Sequence, residues 1–244
     1  MTAVIEEPAA ADRSADASVV VAIDGPSGSG KSSVSRAVAT RLGVGYLDTG
    51  AMYRALTWWC LERGPDLSDQ DAVADASRRM PLVMSHDPQA PAITVDGSAV
   101  DLAIRETRIS EAVSAVATNL AVRADMKQRQ RALIGEIASA TGGVVAEGRD
   151  ITTVVAPDAD VRILLTASEA AHLARRSKEL HGSDDDSALE RTREQVVARD
   201  AKDSTVSQFS VAADGVVTVD TSDLDFEQSV QAVLDVVRAG VRAG

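Results

Sequence analysis

Residues 18–33 read SVVVAIDGPSGSGKSS, and this stretch constrains the fold more than any other. An apolar run from Val19 to Ile23 stops at Asp24, and Gly25-x-x-x-x-Gly30-Lys31-Ser32 follows. That is the complete pattern of a phosphate-binding P-loop. Gly25, Gly28 and Gly30 let the backbone turn tightly, so that its N–H groups face phosphate oxygens. Lys31 adds a point charge for the β- and γ-phosphates, and the Ser32 hydroxyl is placed to face a magnesium ion. A helix beginning near Lys31 presents the positive end of its dipole to the same anion. Within it Val34, Val38 and Leu42 recur at i, i+4, i+8, and Gly43 is placed to end it. A buried strand, a glycine turn and a helix in this order predict a nucleoside triphosphate site.

The rest of the chain alternates in the same way. Val44–Leu47, Val144–Ala146, Val161–Leu165 and Val216–Val219 read as further strands. Helices are expected over Ala51–Arg63, after a Ser68 cap with Asp71 at capping-box spacing, over 106–140, after Ser168, up to Arg199 and over Leu224–Val241. The expected fold class is α/β, the P-loop NTPase fold, with about five parallel strands and helices on both faces. Between Met80 and Val100 the texture changes to short runs broken by Asp87-Pro88 and Asp96-Gly97. Asp96-Gly97 between Ile93–Val95 and Ser98–Val100 predicts a hairpin, so a small antiparallel insert interrupts the parallel core. In 106–140, Ile109, Val113, Val116 and Leu120 form one stripe, and Val122, Met126, Leu133 and Ile137 another. Residues 1–17 read as a disordered tail.

Composition narrows the function. Lys and Arg total 25 against 37 Asp and Glu, a net charge of −12, which argues against a nucleic-acid partner. At 2% aromatic residues the chain offers few stacking platforms for single strands. The lone cysteine, Cys60, excludes an intramolecular disulfide and falls on an apolar helical stripe, as does Trp59. The sequence shows neither a membrane span nor an export signal, and a cytoplasmic protein is the expectation. His86, His172 and His181 are scattered without metal spacing, and Asp184–Asp186 reads as part of a solvated turn. Asp24 either orients a magnesium-bound water or caps the adjacent turn.

Without an Asn-Lys-x-Asp run for guanine, an ordinary GTPase is not expected. Arginines instead stand at the ends of predicted elements, where they would clamp a second anion beside the triphosphate. Arg54 lies one turn into the helix after LDTG (47–50), and Arg149-Asp150 follows a strand directly in EGRD (147–150). Arg199, Asp200 and Asp203 taken alone read as a solvated helix face.

The runs IDGPSGSGKSS, LDTGAMYR, VSAV…VR…QR, EGRDITTVV, ILLTAS and RDAKDST, in this order and spacing, resemble bacterial cytidylate kinases over about residues 18–240. The resemblance implies transfer of the γ-phosphoryl group of ATP to CMP or dCMP with Mg²⁺. It implies that Gly25, Pro26, Ser27, Gly28, Ser29, Gly30, Lys31, Ser32 and Ser33 hold ATP, with Ser32 at the metal. Ser114, Arg123 and Asp150 match positions that read cytosine, and Arg54 and Arg149 match clamps on the monophosphate. Arg199 and Asp203 match groups near ribose and phosphate, and Thr49 a small hydroxyl residue near the acceptor. Arg175 and Arg176 match lid arginines that, with Lys31 and Arg149, act on the transferring group. By the same resemblance 18–244 is the kinase domain, 64–105 its monophosphate-binding insert and 171–190 its lid. The expected partners are small-molecule nucleotides, and the expected state is a monomer. Two positions depart from the family pattern: Val206 stands where an arginine is usual, and Thr152 where glycine is usual. The rival readings are another small-molecule P-loop kinase and a nucleotide-binding regulator without catalysis.

Overall fold

A computed structural model describes residues 18–171, 173 and 201–243. Its core is a five-stranded sheet built from β1 (Val19–Asp24), β2 (Gly45–Asp48), β6 (Gly143–Gly148), β7 (Val161–Thr166) and β8 (Val217–Asp220). Their order is β2-β6-β1-β7-β8, and every pairing is parallel. This is the predicted parallel α/β core, with strand edges within a residue or two of the expected ones.

The strands read as unbroken apolar runs because both faces are covered. Alternate residues serve opposite layers. Ala22, Val144 and Ala146 pack on one face with α2 (Thr49–Arg63), α3 (Gln70–Arg79) and α5 (Leu120–Thr141). Val21, Ile23 and Val145 pack on the other with α1 (Lys31–Leu42) and α6 (Phe226–Ala243). The first cluster continues without interruption into the insert through Ile93, Val95, Val100 and Ile104.

The insert contains the expected antiparallel sheet, β3 (Leu82–Met84), β4 (Ile93–Val95) and β5 (Ser98–Ala99). Asp96 and Gly97 turn its hairpin with φ of 52° and 74°, the pair of positive values that a tight two-residue turn requires. A short 3₁₀ turn over Ala103–Arg105 leads to α4 (Thr107–Ala117).

Several expectations need correction. The α3 cap is Asp69, whose side chain accepts from Ala72 N–H. Ser68 cannot serve, because its N–H and hydroxyl both donate to Asp66. The stretch 106–140 is two helices, since Asn119 accepts from the N–H groups of Ala121 and Val122 and starts α5 afresh. The new helix is out of phase with α4, so Leu120 is 74% exposed, whereas Ile109, Val113 and Val116 are buried. In α5 it is Ile134 that is buried, and Leu133 packs at the edge of the cluster. Trp58 and Trp59 are both only half-buried, with the Arg63 guanidinium 4.6 Å from the centre of the Trp59 ring.

Cys60 lies in the core as expected, and burial raises its thiol pKa to about 11. The native protein should therefore resist thiol reagents near neutral pH, with one equivalent reacting only on denaturation; a spectrophotometric thiol titration checks this. Met126 is completely buried on α5, so Met126→Ala should lower stability by about 2–5 kcal/mol in urea unfolding.

Candidate active site

The carboxyl ends of β1, β2 and β6 open on one edge of the sheet, where α/β folds bind ligands. Gly28 and Gly30 take φ of 83° and 82° in the turn after β1, and α1 begins at Lys31, as the glycine spacing predicts. Ser29 is buried, and its hydroxyl donates to the Pro26 carbonyl at 3.1 Å, holding the turn together from inside.

Lys31 does not project into solvent. Its Nζ donates to Glu147 Oε2 at 2.7 Å, while the Tyr46 hydroxyl donates to Glu147 Oε1 at 2.6 Å. The Thr49 hydroxyl donates to the Glu147 carbonyl at 2.7 Å, and the Ser32 side chain is near enough to favour the ionised carboxylate. Burial pushes the Glu147 pKa up, but the Lys31 ammonium and these donors hold it below the usual carboxylate value. Asp48, its register neighbour on β2, is raised by burial and by the Glu147 charge. Asp48 also caps α2, accepting from Ala51 N–H at 2.9 Å. In the sequence Glu147 stands in EGRD with no role assigned to it. A carboxylate at the end of a wholly apolar strand was the signal that could have found it.

A second cluster gathers residues far apart in sequence. Arg123 donates to Asp150 Oδ2 at 2.5 Å and to the Ser207 hydroxyl at 3.0 Å. Arg149 pairs with Asp203 at 3.0 Å and stacks over the Phe209 ring at 4.1 Å. The Ser114 hydroxyl donates to Asp203 Oδ1 at 3.2 Å. Burial raises the Asp150 pKa, with the Arg123 charge opposing it. Arg54, on α2, is held by the Ile104 carbonyl at 3.2 Å and the Ser110 hydroxyl at 2.9 Å.

Asp24 is a cap, but of a different turn from its neighbour. It lies almost wholly buried and accepts from Ile151 N–H, Thr152 N–H and the Thr152 hydroxyl at 2.8, 2.8 and 2.6 Å. These groups begin a wide turn, Ile151–Val155, closed by bonds from Val155 and Ala156 N–H back to the carbonyls of Asp150 and Ile151. Thr152 sits there with negative φ, so the glycine usual in the family is not needed for this backbone.

A cavity of about 640 Å³ joins both clusters. It is lined by Gly25, Pro26, Ser27, Gly28, Gly30, Lys31, Ser32 and Ser33, and by Thr49, Arg54, Arg123, Arg149, Asp150 and Asp203. Of the expected site residues in the described part of the chain, only Ser29 and Ser114 stand behind this wall. Val206 and Ser207 line it too. Arg36 and Arg105, which no sequence motif marks, also line the cavity. Arg36 also reaches the insert, donating to the Pro88 carbonyl at 3.0 Å. Arg175, Arg176, Arg199, His172, His181 and Asp184–Asp186 lie outside the described residues. No group of three or more potential metal-ligating His, Cys, Asp or Glu occurs among the described residues. Nor is any described helix long and apolar enough to cross a membrane.

Residues 21–239 match the family model described as "Cytidylate kinase". A cytidylate kinase of Streptomyces avermitilis is 49% identical over 220 residues, covering 90% of this chain and 92% of its own. One of Streptomyces griseus is 49% identical over 224 residues, covering 91% and 94%. One of Rhodococcus opacus is 47% identical over 230 residues, covering 92% and 97%.

Replacing Glu147 tests the electrostatics of the first cluster. Glu147→Gln should cost about 1.5–3 kcal/mol of stability at pH 7, because Lys31 then faces a neutral amide. The native carboxyl titrates below its usual 4.5, so its contribution is present above that value and is lost as pH falls through the lower native one. The stability gap between the parent and Glu147→Gln should therefore close below pH 4.5 in urea denaturation across acid pH.

Proposed function

The chain belongs to the cytidylate kinase family, and from that premise we propose that it transfers the γ-phosphoryl group of ATP to CMP or dCMP, giving ADP and CDP or dCDP. The observation that carries this reading is the continuity of the P-loop cavity with the Arg54, Arg123 and Arg149 cluster, which gives one space two anion-binding ends.

The phosphate of a nucleoside monophosphate is already ionised near neutral pH, so the site needs little acid or base work. It needs two anions aligned, their charge offset and water kept out. In this reading the Gly25–Ser33 backbone and Lys31 cradle the triphosphate, with Lys31 exchanging Glu147 for phosphate oxygens. Arg54 and Arg149 hold the acceptor phosphate, and Thr49 lies between the two ends. Asp150 accepts from the exocyclic amine of cytosine, and Arg123 donates to the ring acceptors. Uracil would turn a carbonyl toward Asp150, which disfavours it. Asp203 and Ser114 take the sugar side, with Arg199 from the segment outside the described residues.

Oxygen donors suit a magnesium ion, and the Ser32 hydroxyl, in the cavity wall near the Glu147 carboxylate, is such a donor. When bound, Mg²⁺ would offset charge on the β- and γ-phosphates. Residues 64–105 serve as the acceptor-binding part and 171–190 as a lid bringing Arg175 and Arg176. The protein works as a monomer on free nucleotides in the cytoplasm, within pyrimidine nucleotide metabolism.

The test is ADP formation from ATP and Mg²⁺ with CMP, dCMP, UMP and AMP as separate acceptors. Turnover with CMP and dCMP well above UMP and AMP is expected, with Lys31→Ala lowering kcat by about 10²-fold or more. Equal turnover of CMP and UMP would overturn the base readout. Saturable CMP binding without turnover would favour a regulator, and Val206, uncharged in the cavity wall, would then be the position to restore to arginine.

A further inference from the structure

Asp24 has no part in the chemistry proposed above, yet it joins the two ends of the site. It is the last residue of β1 and precedes Gly25 directly, so its backbone belongs to the triphosphate loop. Its carboxylate belongs to the other end, where it binds the first two N–H groups of the Ile151–Val155 turn and the Thr152 hydroxyl. All three donors are neutral, and burial raises the Asp24 pKa against them. A carboxylate this buried depends on each donor it has.

The two residues before that turn are Arg149 and Asp150, and the chain is fixed on both sides of them. On the β6 side, Gly148 admits no side chain: a Cβ there would come within 2.5 Å of the Thr49 hydroxyl and 2.8 Å of the Ile151 side chain. On the turn side, Thr152 bonds Asp24 through N–H and hydroxyl, while its carbonyl accepts from Arg162 at 3.3 Å. The position of the Asp150 carboxylate, which meets Arg123 at 2.5 Å, follows from these two anchors.

Resting on the cytidylate kinase reading, we propose that Thr152 is a positioning residue that sets base selectivity: its hydroxyl, bound to Asp24, holds the backbone from which Asp150 meets the acceptor base. The hydroxyl makes the shortest of the three bonds and is the one donor that a side-chain change removes alone. Val matches threonine in shape and lacks the donor; Ser keeps the donor and loses a methyl group.

The test compares the parent chain with Thr152→Val and Thr152→Ser, each shown to be folded by thermal denaturation. Calorimetry gives the affinity for CMP alone and for a non-hydrolysable ATP analogue alone, and steady-state assays give kcat and KM for CMP and UMP. Thr152→Val should weaken CMP binding about five- to tenfold and narrow the preference for CMP over UMP. It should leave analogue affinity and kcat at saturating CMP within about twofold of the parent. Thr152→Ser should restore CMP affinity and selectivity. Unchanged CMP affinity in Thr152→Val would overturn the proposal. Equal losses of CMP and analogue binding, which mark general loosening, would do the same, as would failure of Ser to restore selectivity. Failure of the underlying reading is seen separately, as absence of CMP turnover or of base preference in the parent chain.

Discussion

Glu147 has almost no exposed surface, and it stays charged there because Lys31 and the Tyr46 hydroxyl reach it from two other segments. α1, β2 and β6 are thereby tied at one point, the edge where the sheet opens. The largely buried ammonium needs an anionic partner, and the carboxylate needs a cation because it is buried. Each satisfies the other, and Thr49 is drawn in through the Glu147 carbonyl. The protein's own side chains therefore fix this edge of the site, a condition for catalysis by alignment.

The same economy recurs around the cavity. A chain with net charge −12 concentrates cations where two anionic substrates would meet, and sets an acid beside Lys31, Arg123 and Arg149. These pairs are more than surface ornament, because their carboxylates are largely buried. The overall charge argues against a nucleic-acid partner and says nothing about this local order.

What the sequence disclosed followed from local rules. Strand and helix positions came from apolar runs and 3.6-residue stripes, and the P-loop from glycine spacing. The hairpin came from Asp96-Gly97, whose backbone needs are strict. What it hid depended on partners distant in sequence. The role of Glu147 needs Lys31, 116 residues away, and that of Asp24 needs Thr152, 128 residues away. Helix boundaries failed where side chains compete. Asp66 captures Ser68 and leaves capping to Asp69, and Asn119 restarts a helix between the two apolar stripes of 106–140. Thr152 departs from the family pattern, which has glycine there. Its backbone needs no glycine, and its hydroxyl has a buried acceptor.

Both tryptophans, Trp58 and Trp59, lie side by side on α2 against the layer that contains the insert. The buried cluster of the opposite layer, where α1 and α6 cover β1 and β7, has Tyr46 as its aromatic member and contains no tryptophan. Optically the molecule is one-sided. Intrinsic fluorescence excited at the red edge of protein absorbance reports on the surroundings of α2, the helix that carries Arg54, and is blind to the P-loop helix across the sheet. An unfolding transition followed by emission alone records the loosening of one layer, and only a backbone signal such as far-ultraviolet dichroism registers both.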